Sequence, residues 1–352
     1  MSKSFKTVLI VLTAIFLAIA VLVAAYMTNG IIRQKRSQSE RGLTVTEKLE
    51  EGDDVVIGAN QMLKEEKFSG DVRSLNIEFT ATEIRLLPGD GEIVIRQYSD
   101  DKNFDPDRVF TAEFKNGVLK IEGDKSNRLF NFNFSSIFNR NYLEIYLPEA
   151  QYDKVKISSV SGAVKSEIDI AADDINIEST SGGINLQNLE GSKIKLESVS
   201  GGIKGENANS ESVSINSGSG ALNFDSVIGQ SKLESISGGI NIDEVSGNAN
   251  IKASSGYVRI DSLSGSGRIS SVSGSVDISR LEGDLYVDGI SGSVRVAIPE
   301  GQNFKYDLES VSGSVDVQQA SVHKSGRVSG SVGSDGYNVK ISTVSGSVKI
   351  SS

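Results

Sequence analysis

A glycine returns every nine residues from Gly220 to Gly292, through Gly229, Gly238, Gly247, Gly256, Gly265, Gly274 and Gly283, without a slip. Between glycines the chain repeats one phrase with three apolar places: Val258, Ile260 and Leu263; then Val276, Ile278 and Leu281; then Leu285, Val287 and Ile290. Alternating apolar residues belong to a strand with one buried face, and the Ser-Gly pair before most new strands is a turn signal. A fixed short period of this kind marks a stacked-repeat architecture. Longer phrases ending in Ser-Gly (Val160-Ser161-Gly162, Thr180-Ser181-Gly182, Val199-Ser200-Gly201, Gly218-Ser219-Gly220, Ile236-Ser237-Gly238) recur at about twice that period. One coil is therefore two strand-plus-turn units of about 18 residues, and successive coils lie parallel, roughly 4.8 Å apart. Crossovers between parallel strands are right-handed. The expected fold is all-β, a right-handed parallel β-solenoid over residues 155–352.

The regions before the repeat differ in kind. Residues 8–27 form a nearly unbroken apolar run behind Lys3 and Lys6, about 20 residues and so roughly 30 Å as a helix, enough to span a bilayer. The run is longer than the core of a cleaved signal peptide, so a retained transmembrane anchor is expected, with residues 1–7 as its flank. Residues 28–67 read as a polar juxtamembrane linker, basic at Arg33, Lys35, Arg36 and Arg41 and acidic from Glu47 to Asp54. That basic cluster, weighed against Lys3 and Lys6, leans toward a cytoplasmic C-terminal part. A Gly/Ser-rich repeat behind an N-terminal anchor instead suits the cell surface, and the extracytoplasmic side is the expectation adopted. Residues 68–154 form an irregular β entry region, with turns at Pro88-Gly89-Asp90-Gly91 and Asn116-Gly117. Its aromatic cluster, Phe130, Phe132, Phe134 and Phe138, reads either as an exposed contact patch or as the plug closing the first coil. Terminal repeats need atypical caps, which favours the plug. At the other end, residues 339–350 read as an uncovered final strand able to template another.

Composition excludes several functions. The net charge is −10, wrong for a phosphate-binding face. There is no Cys and one His, His323, so thiolate chemistry and Cys-based zinc sites are absent and no Ser/His/Asp set has a persuasive membership. Each nine-residue unit carries three apolar places and no recurring Asp, unlike the calcium β-roll. The serines beside the glycines read as turn formers whose hydroxyls bond the backbone. Two outward columns stand out at coil spacing. Arg259, Asp277 and Arg295 stack with alternating sign, a modestly stabilising arrangement. Glu206, Asp225, Asp243 and Asp261 form an acidic column; it is the candidate cation site, its other reading being a solvated edge. No cofactor is implied. Parallel β-helices also host polysaccharide-cleaving enzymes, but the aromatic residues of the repeats are scattered, so a non-enzymatic role is expected.

The Val-Ser-Gly-Ser-Val phrases at residues 272–276, 311–315 and 344–348, the Leu147-Pro148-Glu149 entry and the Leu87-Pro88-Gly89-Asp90-Gly91 turn resemble the bacterial putative-adhesin family of β-strand-repeat domains of unknown function. The resemblance runs from about Phe68 to the C-terminus. Members with one N-terminal span are similar to accessory membrane proteins of Gram-positive cell-envelope stress-response operons. It implies a surface-facing binding role, as scaffold, adhesin or sensory ectodomain, and supplies no catalytic residues. The expected partners are the membrane and a protein or envelope polymer, held by the solenoid faces or the C-terminal edge, with no nucleic acid. A polysaccharide-active enzyme and a cytoplasm-facing scaffold are the alternatives.

Overall fold

The computed structural model describes residues 61–101, 104, 106–123 and 141–352. The apolar run at 8–27, the linker up to residue 60 and the aromatic cluster at 130–138 lie outside the described residues. Among the described residues no helix is long and apolar enough to cross a membrane. The described residues of the compact unit from Ile57 to Ser352 lie mostly in strands, and its centre is the predicted parallel stack. Ile203 pairs in register with Leu222, Leu222 with Ile240, Ile240 with Val258, Val258 with Val276 and Val276 with Val294. The coil is 18 residues from Leu222 to Val294 and slightly longer before it, where Leu222 pairs with Ile203, Ile194 with Ile175 and Ile175 with Val155. Across residues 220–292 every pairing is parallel. The columns Ile240–Val258–Val276, Ile242–Ile260–Ile278, Val245–Leu263–Leu281 and Ile251–Ile269–Val287 are all buried.

The nine-residue period has a steric cause. Each coil turns two corners, and at each corner a glycine lies flat on the one below. A Cβ on Gly220 would overlap the Gly201 carbonyl, one on Gly238 the Gly220 carbonyl, and one on Gly256 the Gly238 carbonyl. The second corner repeats the contact through Gly229, Gly247, Gly265 and Gly283. There Gly265 also has φ 108°, a conformation that side-chain-bearing residues avoid.

The interior is less uniform than three aliphatics per unit. In the half-coils closing on a small-x-Ser-Gly corner (Ser271-Val272-Ser273-Gly274, Gly289-Ile290-Ser291-Gly292), the third apolar residue, Val272 or Ile290, is only half-buried. The inward place beside it carries a small residue. These places stack as Ser159, Ser179, Ser198, Ser217, Ser235, Ala253 and Ser271, the serines being buried. Ser159, Ser235 and Ser271 donate their hydroxyls to the carbonyls of Gly162, Gly238 and Gly274 at 2.7, 2.8 and 3.1 Å. Ser231 is buried as well. The three apolar places per unit are thus joined inside the coil by a column of small residues, three of whose hydroxyls satisfy a corner carbonyl. Each such bond contributes about 1 kcal/mol.

Both ends are closed by strand reversal. Ser74–Phe79 and Glu83–Pro88 form a coil stacked on Gln151–Ser159 and Val164–Ser166. On its other side lie Val118–Glu122 and Asn141–Leu147, still parallel. Antiparallel Thr111–Lys115 and Ile93–Ser99 cover these, and Gln61–Phe68 pairs antiparallel with the latter. The C-terminal end mirrors this. Phe304–Val317 is placed one coil too far out, Val322–Val332 returns antiparallel along its outer side, and the chain then fills the gap. Tyr337–Ser345 and Val348–Ser351 pair with Leu285–Ser291 and Val294–Ala297 on one side and with Phe304–Val317 on the other. The expected open edge at 339–350 is therefore wrong: that segment is an interior coil, and the outermost strand is Val322–Val332.

The corner contact makes a direct prediction. Gly220→Ala and Gly265→Ala should each destabilise by about 2 kcal/mol or more, read as a lowered thermal midpoint. Gly183→Ala, one residue past a corner, where a Cβ would make only an ordinary contact with the Gly202 carbonyl at 3.6 Å, should be neutral or stabilise by about 0.5–1 kcal/mol.

Candidate binding faces of the coil stack

Parallel in-register stacking turns every outward position into a column running along the stack. On one sheet the columns satisfy themselves. Lys195 lies 3.1 Å from Glu178 and 2.8 Å from Glu197, and Glu234 lies 3.0 Å from Lys232 and 3.1 Å from Lys252. Further along, Arg268 and Lys340 flank the Tyr286 ring at 4.4 and 5.9 Å.

The other sheet carries the columns singled out in the sequence. Arg259, Asp277 and Arg295 are direct neighbours, and Arg295 approaches Asp277 to 3.7 Å. Glu206, Asp225, Asp243 and Asp261 share one column, since the residues flanking them pair coil to coil. All four are exposed, and the Ser279 hydroxyl donates to Asp261 at 3.5 Å. Among the described residues no three His, Cys, Asp or Glu side chains gather where a metal ion would sit; the register aligns these carboxylates without converging them. His323 is exposed on the outer strand, 3.7 Å from Asp316.

Sequence reading missed a groove of about 340 Å³ on this second sheet. Its floor is the column Ala163, Gly183, Gly202 and Ala221, each of whose carbonyls accepts a ladder bond from the neighbouring coil: Gly183 from Val164, Gly202 from Ile184 and Ala221 from Ile203, at 2.9, 3.0 and 2.9 Å. One bank carries Lys165, Asn185, Lys204 and Asn223 on four successive coils. At one end Glu83 holds Arg85 at 2.6 Å and Lys165 at 3.0 Å. At the other the Tyr257 ring lies over Gly239, where a Cβ would meet it at 2.6 Å. The signal was present in the doublets Gly182-Gly183, Gly201-Gly202 and Gly238-Gly239.

The chain matches the family described as Toastrack DUF4097 over residues 72–260 and again over 230–351. No curated protein matches it. Among solved structures it is similar to a putative lipid binding protein from Parabacteroides distasonis, at 16% identity and a TM-score of 0.43, over 67% of this chain and 95% of that one. It is also similar to a putative adhesin from Parabacteroides merdae, at 13% identity and a TM-score of 0.41, over 66% of this chain and 94% of that one. A putative cell adhesion protein from Clostridium sporogenes aligns at 14% identity with a TM-score of 0.20, over 83% of this chain and 99% of that one.

Charge at the groove's Glu83 end is strongly organised. Burial alone pushes the Glu83 carboxyl up, but hydrogen bonds and Coulombic attraction from Arg85 and Lys165 outweigh it, and the net shift is downward. A carboxyl depressed in the folded state contributes stability above its unfolded value and loses it as pH falls through the folded one. Lys165→Met should therefore lower the thermal midpoint at neutral pH, and the gap to wild type should close on acidification below the ordinary glutamate range.

Proposed function

This chain belongs to the Toastrack DUF4097 family, and from that premise we propose that it is a non-enzymatic cell-envelope protein presenting its β-solenoid as a binding surface. The observation that carries this reading is the contrast between the two sheets. The charges of one are largely consumed by each other. The other holds Asn185, Lys204, Asn223, Asn241 and Arg259 in one column across consecutive coils, and among the described residues these side chains make no hydrogen bond or ion pair with one another. Unmade hydrogen bonds on a rigid, preordered scaffold favour binding, because little freedom remains to be lost on association.

In this reading residues 8–27 anchor the chain in the membrane, and residues 28–60, the expected linker shortened by the strand Gln61–Phe68, hold the solenoid off the bilayer on the extracytoplasmic face, where it acts as a scaffold, adhesin or stress-sensing ectodomain. The outward faces of the coils are the contact surfaces. Protease added to intact cells should remove the solenoid while leaving a cytoplasmic control protein whole, and deleting residues 1–27 should release the remainder from the membrane fraction. Protection of the solenoid until the cells are lysed would refute the orientation.

A further inference from the structure

Two outward columns lie side by side on the second sheet. Residues two apart on a strand share a face and stand about 7 Å from each other. Four consecutive coils repeat one order across that gap: Lys204 and Glu206, Asn223 and Asp225, Asn241 and Asp243, Arg259 and Asp261. In each coil the first side chain is a cation or an amide, with hydrogens to donate, and the second is a carboxylate, which only accepts. On the other sheet the same spacing closes on itself. Lys195 reaches Glu197 at 2.8 Å, Lys232 reaches Glu234 at 3.0 Å, and the Asn176 amide donates to Glu178 at 3.1 Å. Among the described residues no hydrogen bond or ion pair joins the two members of any of these four coils. Lys204, Arg259 and all four carboxylates are exposed. A line of donors and a line of acceptors thus run in parallel, neither satisfying the other.

We infer that this face pairs with the same face of a second copy of the chain, about a two-fold axis running along the coil stack between the two columns. Such an interface is isologous. The axis leaves every residue at its own height along the stack and carries each column onto the place opposite the other. Lys204 of one copy then meets the partner's Glu206, and Arg259 meets the partner's Asp261. Between them Asn223 meets the partner's Asp225 and Asn241 the partner's Asp243, each contact being made twice. Symmetry alone sets coil against coil, so no register has to be found.

Charge rules out the other arrangements. A two-fold axis across the coils would lay cations on cations and carboxylates on carboxylates. A partner of uniform sign would satisfy one column and be repelled by the other, about 7 Å away. The order also ends without conflict. On the coil before, Asn185 would face Gln187; on the coils after, Asp277, already 3.7 Å from Arg295, would face Ser279, and Arg295 would face Ala297. Four coils span about 19 Å and the two columns with their flanks about 13 Å, so each copy buries only a few hundred Å². That is the size of a weak, reversible association, whose orientation is set by charge. Both copies run in the same direction, as two chains anchored in one membrane would. The pairing goes beyond the binding role proposed above and does not depend on it.

The chain has no cysteine, so introduced thiols report contacts without background. Two differently tagged full-length chains, Asn223→Cys and Asp225→Cys, are mixed in detergent at high micromolar concentration and treated with a short bismaleimide. The cross-linked heterodimer should form at least tenfold faster than a dimer of Asp288→Cys, an exposed position on the other sheet, and should form more slowly in high salt. Lys204→Glu with Arg259→Glu, introduced in both chains, should slow cross-linking at least tenfold with the thermal midpoint unchanged. Adding Glu206→Lys and Asp261→Lys to those same chains exchanges the two columns and should restore the rate. Cross-linking no faster than at Asp288→Cys, a rate untouched by the charge reversal, or no recovery in folded chains carrying the exchange would overturn the pairing.

Discussion

The fold depends on a contact that no side chain makes: the bare Cα of one corner glycine against the carbonyl of the corner below. Because nothing intervenes, the backbone ladder runs through the corner instead of breaking there. The amide of Ser200 donates to Thr180, that of Ser219 to Val199 and that of Ser237 to Gly218, at 2.9, 3.1 and 3.0 Å. A solenoid whose corners opened would leave two unsatisfied amides per turn, a cost repeated at every coil. Close corners also hold the flat strands in register, so that Ile251, Ile269 and Val287 stack directly.

That constraint explains why the middle of the molecule was legible and the ends were not. A corner that admits only glycine leaves a mark at every passage, so the period, the parallel pairing and the outward columns at Arg259–Asp277–Arg295 and Glu206–Asp261 could be read directly. The ends obey another rule. Val322–Val332 runs antiparallel, has no corner to turn and carries no period. The coil after it pairs Leu285 with Val339, far beyond the usual 18-residue step. No local pattern distinguishes a coil added last in space from one added last in sequence. The serine columns were half-read: turn-forming serines were expected, but the hydroxyl that bonds the glycine carbonyl belongs to the inward serine three residues earlier. Within the Gly-Gly doublets, sequence alone does not say which glycine is pressed against a carbonyl.

The reversals at the two ends solve one problem in the same way. A parallel stack ends in a flat strand with a full row of unpaired amides and carbonyls, an invitation to edge-on association. Here the last parallel coil at each end is covered by an antiparallel strand, and the exposed edge is moved onto segments poor in apolar side chains. Gln61–Phe68 carries Lys64, Glu65, Glu66 and Lys67; Val322–Val332 carries His323, Lys324 and Arg327, with Arg327 held by Asp307 through bonds of 2.8 and 2.7 Å. Filling the inner gap afterwards buries Val339, Ile341, Val348 and Ile350 between two coils.

A stack closed in this way arranges its surface chemistry in columns at a fixed pitch. Recognition on such a surface is a matter of matching periods: a ligand whose groups recur at the coil spacing, or at a multiple of it, makes the same contact repeatedly, whereas a compact ligand makes it once. The sheet bearing Lys195, Glu234 and Lys252 closes that possibility by pairing its own charges. The sheet bearing Asn185, Lys204 and Asn223 leaves it open beside a floor kept bare of side chains.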